Sequence, residues 1–96
     1  MDNLNSIIEI LQKHKSELVD KYGLSQLAIF GSYARRQERE NSDVDILVEF
    51  NRPIGLEFID LAEELEQILH IKVDLISKKG IKREYFKSIE TELAYV

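Results

Sequence analysis

The chain contains no cysteine, a single proline and four glycines. Without cysteine there is no disulfide, no thiolate zinc site and no sulfur nucleophile. So little proline and glycine argues against a disordered or linker-rich chain. No apolar run approaches the ~20 residues of a membrane span, and the opening Met1-Asp2-Asn3 has none of the character of a signal peptide. The expectation is therefore a cytoplasmic protein with no membrane association. Positive charge is also short: 13 Lys and Arg stand against 18 Asp and Glu, a net charge of −5. Affinity for nucleic acid comes mostly from neutralising phosphates, so direct DNA binding is not expected.

What is present suits an ordinary globular chain, 44% hydrophobic and 32% charged. The 96 residues suffice for one domain, 1–96, and for one core. Leu4, Ile7, Ile8, Leu11 and Leu18 recur at helical spacing behind the candidate caps Asp2 and Asn3, predicting an amphipathic helix that ends near Tyr22-Gly23. Leu27, Ala28, Ile29 and Phe30 form a short apolar run stopped by Gly31, the pattern of a buried strand entering a tight turn. "DVDILVEF" over 43–50 predicts a second strand, closed by Asn51-Arg52-Pro53. Phe58, Leu61, Ala62, Leu65, Ile68 and Leu69 make a second helical stripe. "IKVDLI" over 71–76 predicts a third strand, with Val73 and Leu75 on one face and Lys72, Asp74 and Ile76 on the other. Ile81, Tyr85, Ile89 and Leu93, spaced by four, predict a short last helix and an apolar tail that docks on the core or on a partner. The fold class expected is α/β (α+β): a small mixed sheet flanked by helices, in the order α-β-α-β-α-β plus a C-terminal helix or tail.

Chemistry concentrates in "FGSYARRQERENSDVDILVEF", residues 30–50. Side chains alternate across a strand, so Asp43 and Asp45 face the same way, about 6.6 to 6.8 Å apart along it. If Asp74 joins them, three carboxylates meet at one end of a sheet. Each pair at ~4 Å repels by about 4 kcal/mol at an effective dielectric of about 20, so the cluster requires a cation or a proton. All-oxygen sites with open positions suit Mg²⁺, and two such ions serve phosphoryl or nucleotidyl transfer. Gly31 and Ser32 supply a candidate phosphate holder, glycine for close backbone approach and serine as a donor. An isolated Asp-x-Asp is as often a turn or a cap; Asp74, an acid between Val73 and Leu75, is harder to explain that way. Arg35, Arg36 and Arg39 either grip phosphates or pair with Glu38 and Glu40 on a wet surface. Tyr33 either packs or stacks on a base, and Lys72 either pairs with Asp74 or reaches substrate.

"GSYARR…NSDVDILVEF", continued by Asp74 in "KVDLIS" and by the tail "REYFKSIETELAYV", resembles the GSxARG…SDxDLxV signature of the DNA-polymerase-β-like nucleotidyltransferase superfamily, in particular its minimal nucleotidyltransferase (MNT) branch. The resemblance covers essentially the whole chain. It implies a nucleotidyltransferase fold and transfer of AMP from ATP with Mg²⁺, two ions in that family. By the same resemblance Gly31 and Ser32 hold the triphosphate, Asp43 and Asp45 bind metal, and Asp74 binds metal and helps to activate the acceptor hydroxyl. It further implies an MntA-like antitoxin paired with a HEPN-domain ribonuclease toxin, adenylylating a tyrosine of that partner and forming a hetero-oligomer with it. Two alternatives stay open: an antitoxin that acts by binding alone, and transfer to a small molecule or RNA. One position departs from the pattern. Arg36 stands where the family has glycine, so either the turn is made without glycine's freedom or the backbone there is helical.

Overall fold

Asn3 starts the first helix in the computed structural model, which describes residues 3–96. Its side chain accepts from the Ser6 N–H at 3.0 Å and Ser6 Oγ accepts from the Asn3 N–H at 2.9 Å, a reciprocal capping box. The other candidate cap, Asp2, lies outside the described residues. Helix α1, Leu4–Tyr22, ends where Gly23 turns left-handed at φ 70° and its N–H bonds back to the Val19 carbonyl.

Strand β1, Leu24–Phe30, begins earlier than the apolar run alone predicts, because Leu24 and Gln26 also find partners across the sheet in Phe50 and Glu49. A one-turn helix, α2 (Gly31–Ala34), follows without a break, and a loop returns the chain to β2, Val44–Phe50. Helix α3, Glu57–Leu69, leads to β3, Val73–Ser77. The third strand starts two residues later than expected. His70 closes α3 in the left-handed region, and Glu66 reaches from the helix to accept the Val73 N–H at 2.9 Å, so Ile71 and Lys72 serve as the connection. Beyond β3 come a 3-10 turn at Lys78–Gly80, helix α4 (Arg83–Ile89), a second 3-10 turn at Glu90–Glu92, and β4 (Ala94–Tyr95).

The sheet order is β3-β2-β1-β4, with β2 and β3 parallel and the other two pairs antiparallel. This is the mixed sheet that the sequence predicts, with one addition. The tail does not merely dock: Ala94 and Tyr95 pair with Ile29 and Ala28, and the Val96 N–H donates to the Leu27 carbonyl, so the chain's end becomes the edge strand.

Alternation sorts the strands' side chains onto two faces. Ile29, Val44, Ile46 and Val48 point to one face and are sealed by α1 and α3 through Ile7, Leu11, Leu18, Leu61 and Leu65, all without solvent exposure. Val73 and Leu75 pack onto the same core, as their alternation predicts. The opposite face carries Phe30 and Leu47, which are buried with Ile89 of α4 and packed by Ile76, Phe86 and Leu93. Asp45 lies two residues before Leu47 on this second face. The short α4 layer therefore covers the middle of the face, and the end where β1 stops and β2 and β3 start carries the carboxylates.

Candidate active site

Phe30 at the end of β1 sits opposite Asp45 of β2, and Asp45 sits opposite Asp74 of β3. Asp43 precedes the first residue of β2 by one position rather than lying within the strand, as expected from sequence; the strand's alternation carried back one residue gives it the facing of Asp45, and its charge reaches that carboxylate. The aspartates thus gather on one face at one end of the sheet, Asp43 and Asp74 exposed and Asp45 half-buried.

Gly31 explains how the loop approaches this group. Its φ of 76° belongs to the left-handed region, and a Cβ at this position would lie 2.9 Å from Asp45 Cγ and closer still to Oδ2. Only glycine allows the backbone after β1 to pass directly against the Asp45 carboxylate. Ser32 follows at the outer edge of the same turn, half-buried, with its carbonyl accepting the Gln37 N–H at 2.8 Å.

Electrostatics set Asp45 apart. Burial, then the negative charges of Asp74 and Asp43, push its carboxyl from 3.8 up to about 6; Arg35 opposes the rise and Glu92 adds to it. A carboxylate under this strain is stabilised by a cation. The donor set, three carboxylates open to solvent on one side, is all oxygen and suits a hard divalent ion such as Mg²⁺. Among the described residues, no three His, Asp or Glu side chains are already drawn together around one point to hold an ion. The carboxylates share a face and an edge; closing on a metal requires their side chains to converge.

The remaining candidates divide. Tyr33 is buried in the main core, so it packs. Arg36 takes the first of its two alternatives: φ is 57°, in the left-handed region, its N–H donates to the Tyr33 carbonyl, and its guanidinium donates to Asn5 Oδ1 at 3.0 Å. It makes the turn that the family pattern gives to glycine. Arg35 forms an ion pair at 3.1 Å with Glu92, far along the chain, rather than with Glu38 or Glu40. Sequence reasoning passed over Glu92, whose carboxylate also accepts the Gly31 N–H at 2.5 Å. Nothing local singled it out, since Glu90 and Thr91 precede it in the same polar turn. A hollow of about 310 Å³ beside Asp43 is bordered by Ser42, Ile71 and Lys72. A larger cleft, about 720 Å³, lies between α1 and α3 and is lined by none of Asp43, Asp45 and Asp74.

Comparison with known proteins gives the family and the fold. Residues 11–95 match the model of the nucleotidyltransferase domain family. A Methanocaldococcus jannaschii protein, MJ1379, whose name assigns it protein adenylyltransferase activity by inference, is 53% identical over 100 residues, spanning 100% of both chains. The protein adenylyltransferase MntA of Thermococcus cleftensis is 43% identical over 97 residues, covering 100% of this chain and 98% of that one. A solved structure provisionally described as a minimal nucleotidyltransferase superposes with a TM-score of 0.85 at 28% identity, over 99% of this chain and 97% of that one. The complex of a tri-AMPylated Shewanella oneidensis HEPN toxin with an MNT antitoxin shares the fold, with a TM-score of 0.62 at 23% identity over 97% of this chain and 67% of that one.

Proposed function

This chain belongs to the nucleotidyltransferase domain family, as a minimal nucleotidyltransferase, and from that premise we propose that it transfers AMP from ATP to a tyrosine hydroxyl of a HEPN-domain toxin, acting as the antitoxin of that pair. The observation that carries the proposal is the register of Asp45 against Asp74, with Asp43 on the same face and Gly31 pressed against Asp45. The names of the relatives support a protein as the acceptor, and the fold shared with an MNT antitoxin bound to a HEPN toxin supports the partner class.

The residues divide the work. Gly31 and Ser32 bring backbone N–H groups and a hydroxyl to the triphosphate, which orients the α-phosphorus toward the carboxylate edge. Asp43, Asp45 and Asp74 would hold Mg²⁺, which when bound supplies neutralisation of the phosphate charge and of the leaving pyrophosphate. The tyrosine oxygen attacks the α-phosphorus, the bond from that phosphorus to the bridging oxygen breaks, and pyrophosphate leaves. Asp74, exposed on the third strand at the open side, takes the phenolic proton. The α4 layer, built on Phe30, Leu47 and Ile89, keeps the floor of the site dry beside the carboxylates.

ATP labelled at the α-phosphate, Mg²⁺ and the HEPN partner, incubated with the wild type or with the double variant Asp43→Asn/Asp45→Asn, test this function. Label on the partner with the wild type alone is the expected result. No label from the wild type refutes adenylyl transfer to that partner.

A further inference from the structure

We propose that the Glu92 carboxylate is an internal occupant of the triphosphate subsite, so that Gly31 and Arg35 are phosphate ligands and nucleotide must displace Glu92 to bind. This rests on the nucleotide site proposed above and deepens it by adding a binding residue and a built-in competitor.

Two donors from one loop converge on one anion. The Gly31 N–H donates to Glu92 Oε2 at 2.5 Å, and Arg35 Nη1 donates to both carboxylate oxygens, at 3.1 and 3.3 Å. The glutamate points inward: its side chain is 18% exposed, against 47% for Arg35. It is also the fourth carboxylate at an edge that already holds three, and its charge reaches Asp45. A fourth negative charge there is unfavourable unless the guanidinium and the amide compensate it. Both compensating groups lie within five residues of one another at the turn assigned to phosphate, Gly31 and Arg35 being the first residue and the C-cap of α2.

A triphosphate serves the same donors better. It offers more acceptor oxygens and more charge than a carboxylate, and it brings its own counter-cation to the three aspartates. Since one amide hydrogen cannot be given in full to two anions, the two states exclude each other. Apparent nucleotide affinity is then reduced by the fraction of molecules in which Glu92 is seated. Release demands little of the fold. Glu92 ends a 3-10 turn, Glu90–Glu92, and the backbone after it is fastened separately by Ala94 and Tyr95 to β1. A side-chain rotation suffices, and the freed carboxylate moves away from the incoming phosphates.

The test uses inorganic tripolyphosphate with Mg²⁺, measured by titration calorimetry on the full chain. Glu92→Gln keeps the shape and removes the charge; the expected result is roughly tenfold tighter binding than wild type, the size of one charge-assisted contact. Arg35→Ala should weaken binding by a similar factor in the Glu92→Gln background and by less in the wild type, where the same guanidinium also holds the competing carboxylate. Equal or weaker binding by a folded Glu92→Gln protein overturns the proposal, as does an absence of tripolyphosphate binding in either protein. Should that variant not fold, the wild type answers alone: the Gly31 amide resonance must shift on saturation with tripolyphosphate, and a resonance that stays in place overturns the proposal. Label transfer from ATP separates this proposal from the enzymatic one. Tighter tripolyphosphate binding without transfer leaves the competition standing and removes the transferase function, whereas transfer with unchanged tripolyphosphate binding does the reverse.

Discussion

Replacing Asp45 by Asn should stabilise the metal-free protein, because the wild type holds this carboxylate against its electrostatic preference. Burial and the charges of Asp74 and Asp43 raise its pKa from 3.8 to about 6. At about 1.4 kcal/mol per unit, that rise corresponds to at most about 3 kcal/mol of strain at neutral pH. Asp45 is only half-buried, and solvent screening reduces the figure to about 1–2 kcal/mol. For a domain of this size the melting temperature should rise by about 5–10 °C. The sign follows from protons. The folded state binds one more than the unfolded state between about pH 4 and pH 6, so Asp45 favours folding below that window and loses its contribution as pH rises through about 6. The gain from Asn should therefore be full near neutrality and vanish toward pH 4. Thermal unfolding followed by circular dichroism in EDTA, at several pH values, measures it. A variant that melts at or below the wild type at neutral pH, or a gap that persists unchanged in acid, refutes the electrostatic account of the site.

Other perturbations follow from the same geometry. Gly31→Ala drives a methyl group into the Asp45 carboxylate and demands a left-handed backbone from alanine; it should cost about 2 kcal/mol or more and abolish transfer, and adding Asp45→Ala should recover part of the stability but none of the activity. A double variant no more stable than Gly31→Ala would show that the clash is not with Asp45. Arg36→Gly relieves a left-handed arginine at the loss of one exposed hydrogen bond to Asn5, and denaturant unfolding should show a gain of about 0.5–1 kcal/mol; a loss would mean that the Asn5 contact outweighs the backbone. Leu61→Ala, at a position with no exposure between α3 and the sheet, should cost about 2–5 kcal/mol in the same assay, and a cost under about 1 kcal/mol would contradict the packing described here.

The aspartates were legible in the sequence because their signal is local. Alternation across a strand gives Asp43 and Asp45 one facing whatever the sheet order, and an acid flanked by Val73 and Leu75 on strand-like sequence marks Asp74 as the candidate third, which the register sets opposite Asp45. Gly31 was legible as a turn, though its closeness to Asp45 depends on the antiparallel pairing of β1 with β2, which sequence does not state. Nothing local marks the C-terminal edge strand. Ala94–Tyr95 is two residues long, and its partners Ala28 and Ile29 lie at the other side of the chain, so only tertiary pairing makes it a strand. The periodicity that runs from Ile81 to Leu93 concealed it further, since Leu93 packs with α4's residues although the helix stops at Ile89. Glu92 was hidden for the same reason. Its partner Gly31 is 61 residues away, and its contact with Arg35 displaced the local Arg–Glu pairing that charge alternation implied.

The central claim is that this chain modifies its partner rather than merely holding it. Intact-mass measurement of the HEPN protein co-expressed with the wild type or with the Asp43→Asn/Asp45→Asn variant tests it most directly. With the wild type the partner should gain the mass of one or more AMP groups, mapped to tyrosine by fragmentation, and with the variant it should gain none. An unmodified partner that is nonetheless neutralised by both proteins would contradict the account and leave binding alone as the antitoxin's mechanism.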